Sequence, residues 1–220
     1  MIKVIISGYG KMGHMVEKEL LKRGITLVQA SEDIAATDPA IARECVCVDF
    51  TTPDAFRQNY QFIATHFKAA VVGTTGWNDI KADVIAAFEA AGTPMIYASN
   101  FSLGVNALEA AIVKASALLK GAGYEAHIEE IHHIHKLDAP SGTAKTMAEL
   151  VEKELGITPE ISSVREGEVP GIHTLTLTSD CDVLTFRHEA FSREGLAKGA
   201  VVAAIKTEGL KGVHEFSDLL

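Results

Sequence analysis

The sequence is poor in cysteine, carrying only Cys45, Cys47 and Cys181. An odd count, with two members close together in an apolar run, makes no disulfide framework. Cys45 and Cys47 read as buried, inert thiols of a reducing compartment rather than as a redox or zinc pair. No apolar run reaches the ~18 residues of a membrane helix. Met1-Ile2-Lys3-Val4 also lacks the charged-then-apolar pattern of a secretory leader, so a cytoplasmic protein is expected. Basic charge is scarce as well: 20 Lys and Arg stand against 29 Asp and Glu, a net of −9. A nucleic-acid protein needs a basic face, and none is visible. Neither nucleic acid nor membrane is therefore expected as a partner. What is present is a globular composition, with 47% hydrophobic and 22% charged residues in 220. That suffices for one large domain or two small ones, with no disulfide or metal needed to hold a core.

The first hundred residues alternate between strand and helix periods. Short apolar runs lie at Ile2–Ser7, Thr26–Ala30, Glu44–Phe50, Ala69–Val72 and Pro94–Ala98. Helical spacing joins Met12, Met15, Val16, Glu19 and Leu20 up to Gly24. It returns after Thr52-Pro53-Asp54, which reads as an N-cap followed by proline at the first helical position, and again from an expected Asn78 cap to Gly92. This βαβα order predicts a parallel, Rossmann-like doubly wound sheet. Only Glu32 to Arg43 separates the second and third strands, so any crossover helix there is short. After residue 100 the pattern changes. Helices are expected at Leu103–Leu119, Ala144–Leu155 and Leu196–Ile205, a strand at Glu125–His132, and a hairpin from His173–Ser179 and Val183–Arg187. The expected architecture is α/β, with a smaller α+β domain whose mixed sheet is open. A discontinuous dinucleotide domain, 1–103 with 194–220, would enclose a substrate and tetramerisation domain, 104–193.

Gly8-Tyr9-Gly10-Lys11-Met12-Gly13 matches G-x-G-x-x-G between a predicted strand and a predicted helix. The first glycine permits the tight turn, the second a close approach to pyrophosphate, and the third tight helix–strand packing. Free amides at the helix start face the phosphates. Glu32, 19 residues after Gly13, is placed to accept ribose hydroxyls. Asp33 beside it would repel a 2′-phosphate, which tilts the cofactor toward NADH, although Lys11 could reach a phosphate and NADPH stays open. Gly73-Thr74-Thr75-Gly76 follows the fourth strand, where ligands of such sheets lie, and reads as a nicotinamide or ribose contact.

Three of the nine histidines, His132, His133 and His135, fall within four residues. Acid–base or anion-binding chemistry, a metal site and a structural run are all compatible with such a cluster. On a strand His132 and His133 point to opposite faces, and no Cys or H-E-x-x-H partner accompanies them. Pro140-Ser141-Gly142-Thr143 opens the next helix with amides, hydroxyls and a flexible glycine. Lys136 adds a positive charge, so the segment reads as a carboxylate site.

The stretch Glu130-Ile131-His132-His133-x-His135-Lys136-x-Asp138-Ala139-Pro140-Ser141-Gly142-Thr143-Ala144 resembles the signature of the 4-hydroxy-tetrahydrodipicolinate reductases of lysine and diaminopimelate biosynthesis. Gly8 to Gly13, Asp49-Phe50-Thr51, Gly73 to Gly76, Asn100 to Asn106, and Ser192-Arg193 with Lys198-Gly199-Ala200 follow in the order of that family. The resemblance implies a small cyclic dicarboxylate substrate reduced by hydride from NADH or NADPH, and a homotetramer. It implies His132 and Lys136 as the acid/base pair, and His133, Lys136, Ser141, Gly142 and Thr143 as substrate contacts. It implies cofactor contacts at Gly8, Gly10, Lys11, Met12, Gly13, Glu32, Gly73, Thr74, Thr75, Ser99, Asn100, Phe101 and Arg193, and no metal. The chain departs from the family in being short between Asp33 and Glu44 and before Gly171. It also carries Asp33 where NADPH-tolerant members often carry Arg, and Thr52 supplies no cation in its place. A dianionic substrate on an acidic protein calls for concentrated positive charge, expected at Lys136, Lys11, Arg193 and two helix starts. Two rivals from other classes are an NADH-sensing regulator and a metal-dependent hydrolase built on His132, His133, His135 and Asp138.

Overall fold

A computed structural model describes residues 2–220. In chain order the first elements are β1 (Lys3–Ser7), α1 (Lys11–Lys22), β2 (Thr26–Ser31), α2 (Pro39–Ala42), β3 (Cys45–Asp49), α3 (Pro53–His66), β4 (Ala69–Val72), α4 (Lys81–Ala91) and β5 (Met95–Tyr97). There follow α5 (Leu103–Leu119), β6 (Glu125–His132), α6 (Gly142–Leu155), β7 (Glu160–Arg165), β8 (Ile172–Thr178), β9 (Val183–Glu189), α7 (Glu194–Lys206) and β10 (Val213–Glu215). The chain divides into two compact units, Met1–Ser102 with Leu196–Leu220, and Leu103–Gly195. Among the described residues no helix is long and apolar enough to cross a membrane.

The first unit holds a six-stranded sheet in the order β10-β5-β4-β3-β1-β2, parallel throughout. Its central strands are buried almost end to end because they are covered on both faces. The two-residue period sends Val4, Ile6, Val46, Val48 and Val71 to one face with α1 and α7. Ile5, Cys45, Cys47, Ala70 and Val72 go to the other with α3 and α4. The two thiols are thus free, buried core atoms, and burial pushes the Cys47 thiol well up. The chain runs outward from β1 to β2 and then returns to pair β3 beside β1, so strand order reverses between β1 and β3. That is the switch point at which sheets of this kind take ligands.

Two local expectations need correction. Asn78 does not cap a helix. It opens a single 3₁₀ turn, Asn78–Ile80, and no side chain caps that turn or α4. The buried Trp77 sets this start instead, because its indole N–H donates to the Thr74 carbonyl at 2.6 Å. The first sheet also has a strand the periodicity did not reveal, β10, whose three residues are too few to show a period.

In the second unit β7-β6-β8-β9 form a mixed sheet, with β6 and β7 parallel and the other pairs antiparallel. α6 supplies the crossover between β6 and β7. Its core gathers Ile128, Leu175 and Leu177 with Ile112 of α5 and Met147 and Val151 of α6, so both helices cover one face of the sheet.

One tight contact fixes the returning helix of the first unit. A Cβ built on Gly199 of α7 would lie 1.7 Å from the Phe101 carbonyl oxygen. Gly199→Ala must separate α7 from the 100–102 segment. A loss of about 1–3 kcal/mol, the usual cost of overpacking, is expected. Thermal unfolding measures it, and an unchanged Tm would contradict this packing.

Candidate active site

The Gly8–Gly13 turn sits at the switch point and is built from contact rather than flexibility alone. Gly8 has φ +86°, and a Cβ there would meet the Phe50 carbonyl oxygen at 2.5 Å. A Cβ on Gly13 would lie 2.4 Å from the Gly8 carbonyl oxygen, so helix and turn touch through backbone. At Gly10 a Cβ would meet nothing within 4 Å. Space therefore lies open in front of α1, whose start has no side-chain cap and no acidic residue in its first turn. Unspent amides facing open space fit a pyrophosphate. Glu32 is exposed at the end of β2, and one of its carboxylate oxygens accepts from the Tyr9 amide at 3.2 Å. Lys11 and Asp33 are exposed, and Met12 is half-buried.

Asp49, at the end of β3, ties the neighbouring turns together. Its buried carboxylate accepts from the hydroxyls of Ser7, Thr51 and Thr74. Burial pushes its pKa up, and the three hydroxyls oppose that shift. Thr74 is consequently buried with its hydroxyl spent, and it also accepts from the Thr51 amide at 2.7 Å. Thr75 is exposed, and Gly73 lies against the Phe50 ring, which leaves no room for a Cβ. Ser99 is exposed, and Asn100 accepts from the Ser102 amide at 2.9 Å. Phe101 is a core side chain packed on Phe50 and Phe216, so only its backbone is available to a ligand. Arg193 is exposed, but it belongs to the second unit.

The second unit gathers its chemistry around a carboxylate that the sequence reading did not single out. Glu130 and His132 lie two apart on β6 and so share a face. Glu130 is fully buried. Arg165, on β7, donates to both of its oxygens at 2.9 and 3.1 Å, and the Ser141 amide adds a contact at 3.3 Å. The His132 Nδ1 closes the set on the same carboxylate. Burial would raise the Glu130 pKa, but Arg165, Ser163 and His132 outweigh it and hold the carboxyl at about 2. His132 is itself shifted down, chiefly by burial, with Lys136 and Arg165 adding to the effect and Glu130 opposing it.

Around this pair the loop 133–140 folds back. Lys136 Nζ pairs with Asp138 at 2.7 Å, and this pairing lowers the Asp138 pKa. The Arg165 guanidinium also donates to the Lys136 carbonyl at 3.3 Å and to the Asp138 carbonyl. His133 is half-buried with an unpaired Nδ1, and His135 faces Glu168 at 3.0 Å. Ser141 caps α6 by accepting from the Ala144 amide at 3.2 Å, and its hydroxyl also meets His173 Nε2 at 2.9 Å. Both polar groups of Ser141 are thus consumed inside the protein. The residue thereby shapes the helix start. Gly142 is exposed, and Thr143 is half-buried. Among the described residues no group of three His, Cys, Asp or Glu side chains is placed to hold a metal ion.

The sequence reading missed Glu130, Arg165 and His173. A signal existed for His173: it is polar at an inward position of a strand whose next inward residues are Leu175 and Leu177. None existed for Arg165, whose partner lies 35 residues away across the sheet.

A parallel sheet with a glycine turn at its switch point, joined to a second unit bearing a buried carboxylate–histidine pair, defines a Rossmann-type oxidoreductase of two units. Residues 2–101 match the family model described as dihydrodipicolinate reductase, N-terminus, and residues 104–220 match dihydrodipicolinate reductase, C-terminus. The chain belongs to the dihydrodipicolinate reductase family and is a nicotinamide-dependent oxidoreductase. It is 36% identical to the 4-hydroxy-tetrahydrodipicolinate reductase of Christiangramia forsetii over 233 residues, covering 100% of this chain and 98% of that one. It is 35% identical to the enzyme of that name from Neisseria meningitidis, over 91% of this chain and 79% of the relative. A dipicolinate-bound dihydrodipicolinate reductase from Paenisporosarcina shares the fold across the full length of both chains, with a TM-score of 0.86 and 21% identity. An amine dehydrogenase from Mycobacterium smegmatis shares it more loosely, with a TM-score of 0.66 and 12% identity over 98% of this chain and 95% of that one.

Burial holds the His173 imidazole down to about 4, against 6.5 when exposed, with His132 adding to the shift. The unfolded chain therefore binds the extra proton first. Stability is full above pH 6.5 and falls as pH drops toward 4. His173→Gln is expected to flatten denaturant midpoints across this window, by at most about 1.4 kcal/mol per pH unit. An undiminished slope in the variant would place the acid lability elsewhere.

Proposed function

We propose that this protein is a 4-hydroxy-tetrahydrodipicolinate reductase that replaces the 4-hydroxyl of its substrate with hydrogen. The net change takes one hydride and one proton and releases water. The nicotinamide supplies the hydride when bound, and the protein supplies position, charge and the proton. The observation that carries the reading is the 130–143 segment. In it one buried carboxylate, Glu130, holds both His132 and the amide of Ser141 at the start of α6.

The parts are assigned as follows. The start of α1, with Gly8, Gly10, Lys11, Met12 and Gly13, holds pyrophosphate. Glu32 takes the ribose hydroxyls. Gly73, Thr75 and the backbone of Ser99, Asn100 and Phe101 line the nicotinamide side, and Thr74 fixes that turn through Asp49. Arg193 offers a further positive charge. His133, Lys136, Ser141, Gly142 and Thr143 hold the carboxylates, where the amides of the α6 start favour an anion. A planar dicarboxylate of the kind named for the Paenisporosarcina structure matches such a site. His132 or Lys136 gives the proton that carries the hydroxyl away as water. The segments 1–103 with 194–220 are thereby the cofactor domain and 104–193 the substrate domain. The sheet face opposite α5 and α6 carries half-exposed residues such as Ile131, Ile172 and Thr174, which supports pairing of copies into a tetramer. A cytoplasmic location accords with the nicotinamide chemistry. Glu32 and Asp33 together disfavour a 2′-phosphate, so NADH is the preferred donor.

The test is the loss of nicotinamide absorbance on adding freshly generated 4-hydroxy-tetrahydrodipicolinate. Turnover is expected with NADH at a kcat/KM no lower than with NADPH. His132→Gln and Lys136→Ala are each expected to lower kcat about 10²-fold or more, the scale of a lost general acid, with cofactor binding retained. Near-wild-type turnover in either variant removes that residue from the mechanism, and a tenfold advantage for NADPH overturns the reading of Asp33.

A further inference from the structure

Glu130 lies outside the acid/base pair, yet its surroundings are the most specific in the second unit. No part of it is exposed, and its two oxygens face several donors. These are the Arg165 fork, the Ser141 amide, Nδ1 of His132 and the Ser163 side chain. An ionised carboxylate has no proton to give, so the hydrogen in the contact with His132 must belong to the ring. Neutral His132 is thereby fixed as the Nδ1–H tautomer, and its lone pair sits on Nε2. The other side of the ring is kept clear. A Cβ on Gly171 would lie 3.0 Å from Nε2 and 3.3 Å from Cδ2, so glycine is the one residue that leaves Nε2 unobstructed there. The His173 ring stands edge-on to His132, centroids 5.0 Å apart, and limits rotation.

We propose that Glu130, clamped by Arg165, is the positioning residue for His132, and that it confines proton exchange at this histidine to Nε2. The proposal rests on the assignment of His132 to proton transfer. In each turnover Nε2–H of the imidazolium gives its proton, the ring returns to the Nδ1–H tautomer, and Glu130 stays ionised throughout. A neighbouring carboxylate favours the imidazolium, so it also raises the pH at which His132 can act as an acid. The charged and titratable groups facing His132 are Glu130 on its own strand, Lys136 with its partner Asp138 in the loop, Arg165 on β7 and His173 on β8. Of these, only Glu130 and Asp138 favour the charged ring.

Two measurements test it. The first is the ¹⁵N imidazole spectrum of the wild-type protein, without substrate, at a pH where His132 is neutral. The Nδ1–H pattern is expected, and an Nε2–H pattern overturns the proposal whether or not the reaction assignment holds. The second is the pH profile of kcat/KM for Glu130→Gln, read beside cofactor binding. The limb belonging to His132 should move to lower pH, and kcat near pH 8 should fall at least about tenfold, while cofactor affinity stays within about twofold. A purely structural role would scale the profile down without moving the limb, and that result would also overturn it. If Glu130→Gln fails to fold, the wild-type spectrum alone decides. If the wild type shows Nδ1–H but turns over no 4-hydroxy-tetrahydrodipicolinate, the substrate assignment fails and the tautomer stands.

Discussion

A carboxylate buried without a partner would cost several kcal/mol, so Glu130 can exist in the core only because its partners are built around it. The consequences spread outward from that requirement. Arg165 must be carried to the carboxylate, and this gives β7 a reason to lie parallel to β6 although four of its six side chains are polar. The guanidinium then reaches past Glu130 to the carbonyls of Lys136 and Asp138, closing the loop between β6 and α6. The Ser141 amide approaches the same carboxylate, which places the start of α6 beside His132. One charge thus sets a strand, a loop, a helix start and the orientation of a ring.

The first unit solves a comparable problem with neutral donors. Asp49 is buried at the end of β3 and is satisfied by hydroxyls from the end of β1 and from the turns that follow β3 and β4. Hydroxyls leave the carboxyl with a raised pKa, whereas the Arg165 fork drives Glu130 the other way. The contrast follows from what each must do. Asp49 joins the ends of neighbouring strands, while Glu130 must hold a full negative charge against a histidine. The overall charge of −9 has a local counterpart here. Arg165 spends its charge on Glu130, and Lys136 shares its own with Asp138.

Much of this was visible in the residues. β1, β3 and β4 read clearly because strands covered on both faces become continuous apolar runs, and the glycine turn stands between β1 and α1, where its spacing put it. The hairpin of β8 and β9 showed in its alternation around Ser179–Asp182, and the 130–144 segment showed by its likeness to one family. The losses have physical causes. β7, Glu160–Arg165, is an edge strand whose two faces are both partly exposed, so its apolar and polar residues do not alternate. β10 is too short for a period. Ser141 and Thr74 read as ligand hydroxyls by residue type, and each also meets a protein partner, His173 and Asp49, that lies 32 and 25 residues away. Hydroxyl identity is local, but the satisfaction of a hydroxyl is tertiary. Arg165 was hidden for the same reason.

The central claim is that Glu130 and Arg165 act as one unit on His132. A double-mutant cycle in kcat/KM with Glu130→Gln and Arg165→Met addresses it directly, because coupled residues do not add. The double variant is expected within about threefold of the worse single variant, since either change alone already releases the ring. Penalties that multiply in full would mean that the two side chains act independently, and would contradict this account.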